Sequence, residues 1–210
     1  SMGLAYLYAP FFFIAHGIEL ALGKEAGGYS NTYQLLLLLG SWCYFSLGLR
    51  WLRKALQTNF EDRVVSLTLL GIKMGTNLFY YSSIGAAMSH VFSFSLSCGL
   101  LLLLQNWFKS PTLRRSIILG LLLGCMTLIR PVNILFASLL LCWNVTSPAQ
   151  WIGRLRLLVT APIFFPIAFA FLLPWIPQVL YWKAVSNDWL FYSYGDEGFF
   201  FLRTQLWNSL

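Results

Sequence analysis

The stretch that decides the fold is Ser116–Trp143, SIILGLLLGCMTLIRPVNILFASLLLCW, an apolar run with Arg130 and Pro131 at its centre. A guanidinium inside such a run is costly in lipid, and proline removes a backbone donor and breaks or kinks a helix. As one helix the run would extend roughly 42 Å, against a hydrocarbon core of about 30 Å. It is long for one crossing and short for two. Arg114 and Arg115 precede it, and Arg154 and Arg156 follow it. A single crossing would leave one of these clusters on the outer side, against the positive-inside tendency. A hairpin of two short helices, bent at Arg130-Pro131, keeps both inside. The arginine then lies at membrane depth, facing protein or a water-filled cavity. An arm of about 14 residues rises only about 21 Å, which puts Arg130 on the floor of a cavity open outward.

Working outward from the hairpin, composition agrees with a membrane setting. Of 210 residues, 58% are hydrophobic, 18% aromatic and only 10% charged, with a mean hydropathy of +0.68. That excludes a soluble domain and predicts an all-α, polytopic helical membrane protein. The formal charge of +7 does not argue for nucleic acid, because the basic residues cluster between apolar runs, as topology signals and contacts to lipid head groups do. Cys43, Cys98, Cys125 and Cys142 all fall in apolar runs and read as small buried hydrophobes, with neither disulfide nor metal spacing.

The sequence predicts four full spans, the broken hairpin and an interfacial N-terminal helix. Residues 1–31 form an outer-side helix and loop; residues 1–23 are long enough to cross, but Pro10, His16 and Glu19 interrupt the apolar run and favour a helix lying at the interface or dipping partway in. Residues 32–181 form the transmembrane bundle, with spans expected at Thr32–Leu49, Val64–Ser83, Ala86–Leu104 and Leu157–Tyr181. Residues 182–210 form an outer aromatic and acidic loop and the start of an amphipathic helix. On this topology nine basic residues (Arg50, Arg53, Lys54, Arg63, Lys109, Arg114, Arg115, Arg154, Arg156) lie inside. Lys73 and Arg130 lie at membrane depth. The chain begins and ends abruptly, as a fragment of a longer protein would.

A few residues stand out chemically. Arg130 is either a helix-tip arginine satisfying carbonyls freed by Pro131 or an anion site, since its fork of donors suits a phosphate. Lys73 is a second buried cation, either snorkelling or facing the same phosphate. His90, with Ser89 and the Tyr80-Tyr81 pair, reads as a hydrogen-bonding residue near the outer mouth or as a base. In FYSYGDEGFFF (191–201), Tyr194, Asp196 and Glu197 form either a solvated turn in an aromatic belt or a substrate-facing loop. Asp196 and Glu197 are also candidates for holding a divalent metal, although two adjacent carboxylates alone are a weak signal. No nucleotide-binding loop, zinc spacing or Ser-His-Asp order is present.

The order of LYAPFFFIAHG, GGYSNTYQ, GTNLFYY, MSHVFSFSL, GLLLGCMTLIRPVNILF and LPWIPQVLYWKAVSNDWLFYSYGDEGFFF resembles bacterial polytopic glycosyltransferases of the glycosyltransferase-C superfamily. Protein O-mannosyltransferases and the lipid A aminoarabinose transferase are similar. The resemblance runs over nearly the whole chain and rests on order and spacing, no single motif being diagnostic. It implies transfer of a sugar from a polyprenyl-phosphate donor, on the extracytoplasmic face of the inner (plasma) membrane. It also implies a catalytic carboxylate in an outer loop expected upstream of Ser1, so no catalytic residue is named here and the chain alone is expected to be inactive. Arg130, Lys73, His90, Tyr194, Asp196 and Glu197 are the expected substrate-binding residues. The partners implied are the lipid-linked sugar donor and membrane lipids. A transporter or lipid flippase is the rival reading, because broken helices and intramembrane charge suit it equally. No inverted repeat is visible and no acid lies within an expected span, which serves ion coupling poorly. A non-catalytic scaffold would explain the composition but not the arginine.

Overall fold

The computed structural model describes residues 2–160 and 164–191. Tyr194, Asp196 and Glu197 lie outside the described residues, so their predicted roles find no structural context. Among the described residues the chain is helical with no strand. The helices are α1 (Met2–Ala21), α2 (Asn31–Leu56), α3 (Asp62–Gly75), α4 (Leu78–Ser83), α5 (Ser89–Lys109), α6 (Leu113–Ile129), α7 (Leu139–Cys142), α8 (Pro148–Thr160), α9 (Phe164–Leu172) and α10 (Trp175–Ser186). A 3-10 helix, Pro131–Ser138, joins α6 to α7. Four helical stretches are long and apolar enough to cross a membrane: Met2–Ala21, Asn31–Leu56, Ser89–Lys109 and Phe164–Ser186. The protein is an all-α polytopic membrane protein.

The run around Arg130 divides where proline requires it. Helix α6 ends at Ile129, Arg130 adopts an extended conformation (φ −144°, ψ 123°), and Pro131 opens the 3-10 helix. The two arms form a hairpin. At its start, α6 lies against the end of α5, where fully buried Trp107 donates Nε1–H to Ser116 Oγ at 2.9 Å. At its end, α6 brings Arg130 to Ser89, the first residue of α5. The return arm finishes with Trp143 stacked on Phe108, 6.4 Å between centroids and 15° between planes, near the end of α5 again. The lengths agree: 17 α-helical residues rise about 26 Å, and eight 3-10 residues plus four α-helical ones rise about 22 Å. The larger rise per residue of the 3-10 helix lets a short arm cover the distance. Asn133, only 7% exposed, clasps the bend, its Nδ2 donating to the Met126 carbonyl at 2.9 Å and its backbone N–H to the Arg130 carbonyl at 2.9 Å.

Helices α2 and α5 run parallel. Gly48 abuts Phe94 and Ser95, Gly99 abuts Trp51, and Gln105 donates to the Ala55 carbonyl at 3.0 Å. That register puts Ser89 level with Ser41 or Trp42, so the first turns of α2 continue about 16 Å beyond the start of α5. Helix α1 lies antiparallel along this overhang. Phe11 packs on Gly40, His16 Nδ1 meets the Tyr33 hydroxyl at 2.8 Å, and Ser30 Oγ donates to Glu19 at 2.8 Å. Thr32 supplies a second hydrogen bond to Glu19, which is 1% exposed. Pro10, His16 and Glu19 are the residues that interrupt the apolar run of α1. The helix turns His16 and Glu19 toward α2 and the loop before it, where hydroxyls satisfy them, and presents Phe12, Phe13, Ile14, Ile18 and Leu20 outward.

Two predicted spans are interrupted. Val64–Ser83 breaks at Gly75–Asn77, where Thr76 is extended (φ −126°, ψ 165°) and its Oγ1 accepts from the Leu78 N–H at 3.2 Å. A hydroxyl two residues ahead offers the first turn of α4 an acceptor, which competes with helix continuation. Leu157–Tyr181 is shared among α8, α9 and α10. Pro177 lies in the first turn of α10 and Pro174 between α9 and α10, where a missing N–H costs least. Helix α9 runs parallel to α6 at close approach, a Cβ at Gly120 meeting the Ile167 carbonyl and one at Gly124 meeting that of Phe171. This is the small-xxx-small contact that brings membrane helices together by packing.

The chain divides into two compact units, Ser1–Pro177 and Gln178–Leu210. In the second, the helix stops at Asn187, whose φ of 61° is left-handed, and Lys183 donates to its carbonyl at 2.7 Å.

Candidate functional site: a guanidinium at an uncapped helix start

Ser89, His90 and Arg130 are brought together although Arg130 lies 41 and 40 positions from the other two. Arg130 Nε donates to Ser89 Oγ at 2.9 Å, and its Nη2 lies 3.2 Å from His90 Nε2. A guanidinium has only donors, so this contact uses Nε2 of a neutral imidazole as acceptor and puts the ring proton on Nδ1. The His90 ring stacks on Tyr81, 4.0 Å between centroids and 19° between planes, and Tyr80 meets Tyr81 edge-on at 5.5 Å. The bend at Pro131 fixes the arginine backbone, the α4–α5 turn fixes His90, and the stacked tyrosine holds the imidazole plane.

The electrostatics point one way. Helix α5 begins with Met88 at its N-cap, a residue with no oxygen to accept from the first-turn N–H groups, and no side-chain cap is made. Uncapped amides and the aligned peptide dipoles give this end a partial positive charge. Arg130 adds a full positive charge at the same place. Two of its N–H groups are engaged and the rest of the fork is exposed. Such a pairing of helix start and guanidinium suits an anion with several acceptor oxygens, phosphate above all.

One wall of the site is α1. Tyr8 donates to the Ala87 carbonyl at 2.5 Å and meets Phe92 edge-on at 5.0 Å. Gly3 packs so tightly on Leu128 and Ile129 that a Cβ there would lie 2.6 Å from the Ile129 nitrogen. The register of α2 against α5 carries the outer turns of α1 and α2 past the level of the site.

The other expected residues are not gathered here. Lys73 lies half-buried in the last turn of α3 and contacts neither Arg130 nor His90. The break at Gly75 follows it directly, so it does not continue the line of α4 toward Tyr80 and Tyr81. Among the described residues no cluster of His, Cys, Asp and Glu could hold a metal ion. Reading the sequence alone missed Asn133, Tyr8 and Gly3. Asn133 follows Arg130 by three residues, the spacing of one 3-10 turn, which was the available signal. Tyr8 and Gly3 act through long-range packing that no local pattern announces.

No family model, curated protein or solved structure matches the chain.

Proposed function

We propose that the protein is a membrane glycosyltransferase that takes a sugar from a polyprenyl-phosphate donor and works on the extracytoplasmic face of the plasma membrane. The observation that carries this reading is the exposed Arg130 guanidinium at the uncapped start of α5, on a bundle whose α1 and α2 expose apolar side chains beyond that level. A lipid-linked phosphate needs those two features together: fixed positive charge for the head and apolar surface for the chain. The basic residues at the opposite end of the bundle, among them Arg53, Lys54, Lys109, Arg114 and Arg115, support an extracytoplasmic site through the positive-inside tendency. The motif order resembling glycosyltransferase-C enzymes supports the sugar-transfer step.

In this scheme Arg130 and the α5 amides hold the phosphate and stabilise charge developing on it as the sugar departs. His90 and Ser89 orient the guanidinium. Lys73, Tyr194, Asp196 and Glu197 stay candidates for contacts to the donor, the sugar or the acceptor, with Asp196 and Glu197 the candidates for a divalent metal. The test is binding of a polyprenyl phosphate to the protein in nanodiscs. Arg130→Ala should weaken it at least about tenfold, the worth of a charge-assisted hydrogen bond, and Arg130→Lys should weaken it less because charge survives without the fork. Unchanged binding in Arg130→Ala would overturn the reading. Flipping of the lipid between vesicle leaflets without sugar transfer would favour the transporter or flippase instead.

A further inference from the structure

Between Trp143, where the hairpin returns, and Phe164, where α9 starts, lies α8, a helix of 13 residues that is not among the stretches able to cross a membrane. The chain enters and leaves it at one level, the basic end of the bundle. On the entry side Trp143 stacks on Phe108 near the end of α5, and the chain turns at once. Asn144 has a φ of 52°, and the Val145 N–H donates to the Cys142 carbonyl at 3.3 Å. On the exit side Phe165 of α9 lines the same groove as Ile117, one residue past the Ser116 that meets Trp107. In the middle, the Arg154 guanidinium lies 4.0 Å from the Phe108 centroid and donates to the Leu140 and Trp143 carbonyls at 3.2 and 3.1 Å. An upright α8 would carry one end about 20 Å from this level, and the four steps from Thr160 to Phe164 cover at most about 14 Å. Helix α8 therefore lies across the end of the bundle.

Lying there, α8 shows three different sides. At about 100° per residue, Arg154 and Leu158 share one side, where Arg154 grips Phe108 and Leu158 is buried. Trp151, Leu155 and Ile152 fill the next arc, about 100° wide, and all three are exposed, Ile152 at 63%. Gly153 and Gln150 lie opposite that arc and are exposed as well, with Leu157 the one apolar residue among them.

We infer that the Trp151–Ile152–Leu155 face of α8 is a docking surface for lipid, inserted at the headgroup–acyl boundary of the leaflet on the basic side. A flat helix held laterally against a membrane bundle turns one free side to the bilayer and the other to water. The apolar arc and the Gly153–Gln150 side are placed for those two roles. The arc also continues a surface that lipid already covers, the exposed Ile117, Phe165 and Phe169 of α6 and α9. Exposed Lys54, Lys109 and Arg114 at the same end mark the level of the headgroups, and tryptophan is the side chain suited to that boundary. An amphipathic helix of this kind sinks its apolar face about 5–10 Å. The inference is independent of the glycosyltransferase reading.

The experiment uses the full chain in nanodiscs of phosphatidylglycerol and phosphatidylcholine, where both membrane faces are open to reagent. Gln150→Cys, Ile152→Cys, Gly153→Cys and Leu155→Cys are each treated with a charged maleimide, and labelling is read peptide by peptide by mass spectrometry, so the native cysteines stay in place. Positions 150 and 153 should react at least about tenfold faster than 152 and 155. In parallel, the unmodified protein is irradiated with a phosphatidylcholine carrying a diazirine near the carbonyl end of its acyl chain. Adducts should form on Trp151, Ile152 or Leu155. Equal maleimide rates at the four positions would overturn the inference, since the arc would then face water. Slow labelling at 152 and 155 without lipid adducts on α8 would overturn it too, since the arc would then be covered by protein. Circular dichroism of each variant separates a change of exposure from a loss of fold.

Discussion

Replacing Gly124 with alanine should destabilise the protein, although alanine is the better helix former. The Cβ would point at the Phe171 carbonyl of α9, and at Gly120 the equivalent atom would meet the Ile167 carbonyl and the Ala170 side chain. In both cases the obstacle includes backbone, which moves only if the two helices separate. Separation forfeits dispersion contacts along the whole interface. Overpacking of this kind costs about 1–3 kcal/mol, against a propensity gain of at most about 1 kcal/mol. A backbone atom 2.3 Å from the Cβ puts the cost in the upper part of that range, about 2–3 kcal/mol, so the expected net loss is about 1–2 kcal/mol for Gly124→Ala, and for both changes together less than the sum of the two, because they share one interface. Gly71 provides the opposite sign. It lies inside α3 with nothing within 4 Å of a Cβ, so Gly71→Ala should be neutral or stabilising by up to about 1 kcal/mol. Reversible unfolding in mixed micelles, followed by circular dichroism, measures both. Equal or greater stability of Gly124→Ala would refute the close α6–α9 contact.

Other substitutions probe the elements around the site. Asn133→Leu should cost about 1–3 kcal/mol, because the Met126 carbonyl loses its donor and the bend its clasp, with faster amide exchange in residues 131–138 as the local readout. Glu19→Leu should destabilise the α1–α2 pairing by a similar about 1–3 kcal/mol through the stranded Ser30 and Thr32 hydroxyls. Glu19→Gln, which still offers an oxygen, should cost clearly less in the same unfolding assay. Trp107→Ala should be the most damaging of the set, at about 3–5 kcal/mol, since it empties a fully buried volume and removes the donor to Ser116. Near-wild-type melting of Trp107→Ala would contradict the packing of α5 on α6.

How much could be read from the sequence depended on how local the cause was. The break at Arg130-Pro131 was legible because proline acts on its own turn, and the charge clusters on either side required the chain to return. The association of Arg130 with His90 and Ser89 was half legible. Each residue was identified, but their contact depends on the register of α6 against α5, set by Trp107 and Ser116 at the other end. Lys73 was grouped with them through its expected depth in a continuous helix, and the Gly75–Asn77 break removes that continuity. The Gly120–Gly124 pair stood in plain sight within GLLLGC, yet its meaning depends on which helix lies opposite. The partners of His16 and Glu19 in α1 were not legible, because Tyr33, Ser30 and Thr32 come from the next helix and the loop before it.

The central claim, that Arg130 binds the phosphate of a lipid-linked sugar donor, is tested most directly by transfer of labelled sugar from polyprenyl phosphate in membranes containing the complete protein. Transfer should be lost in Arg130→Ala at unchanged membrane insertion and retained in part in Arg130→Lys. Wild-type turnover in Arg130→Ala would contradict the account.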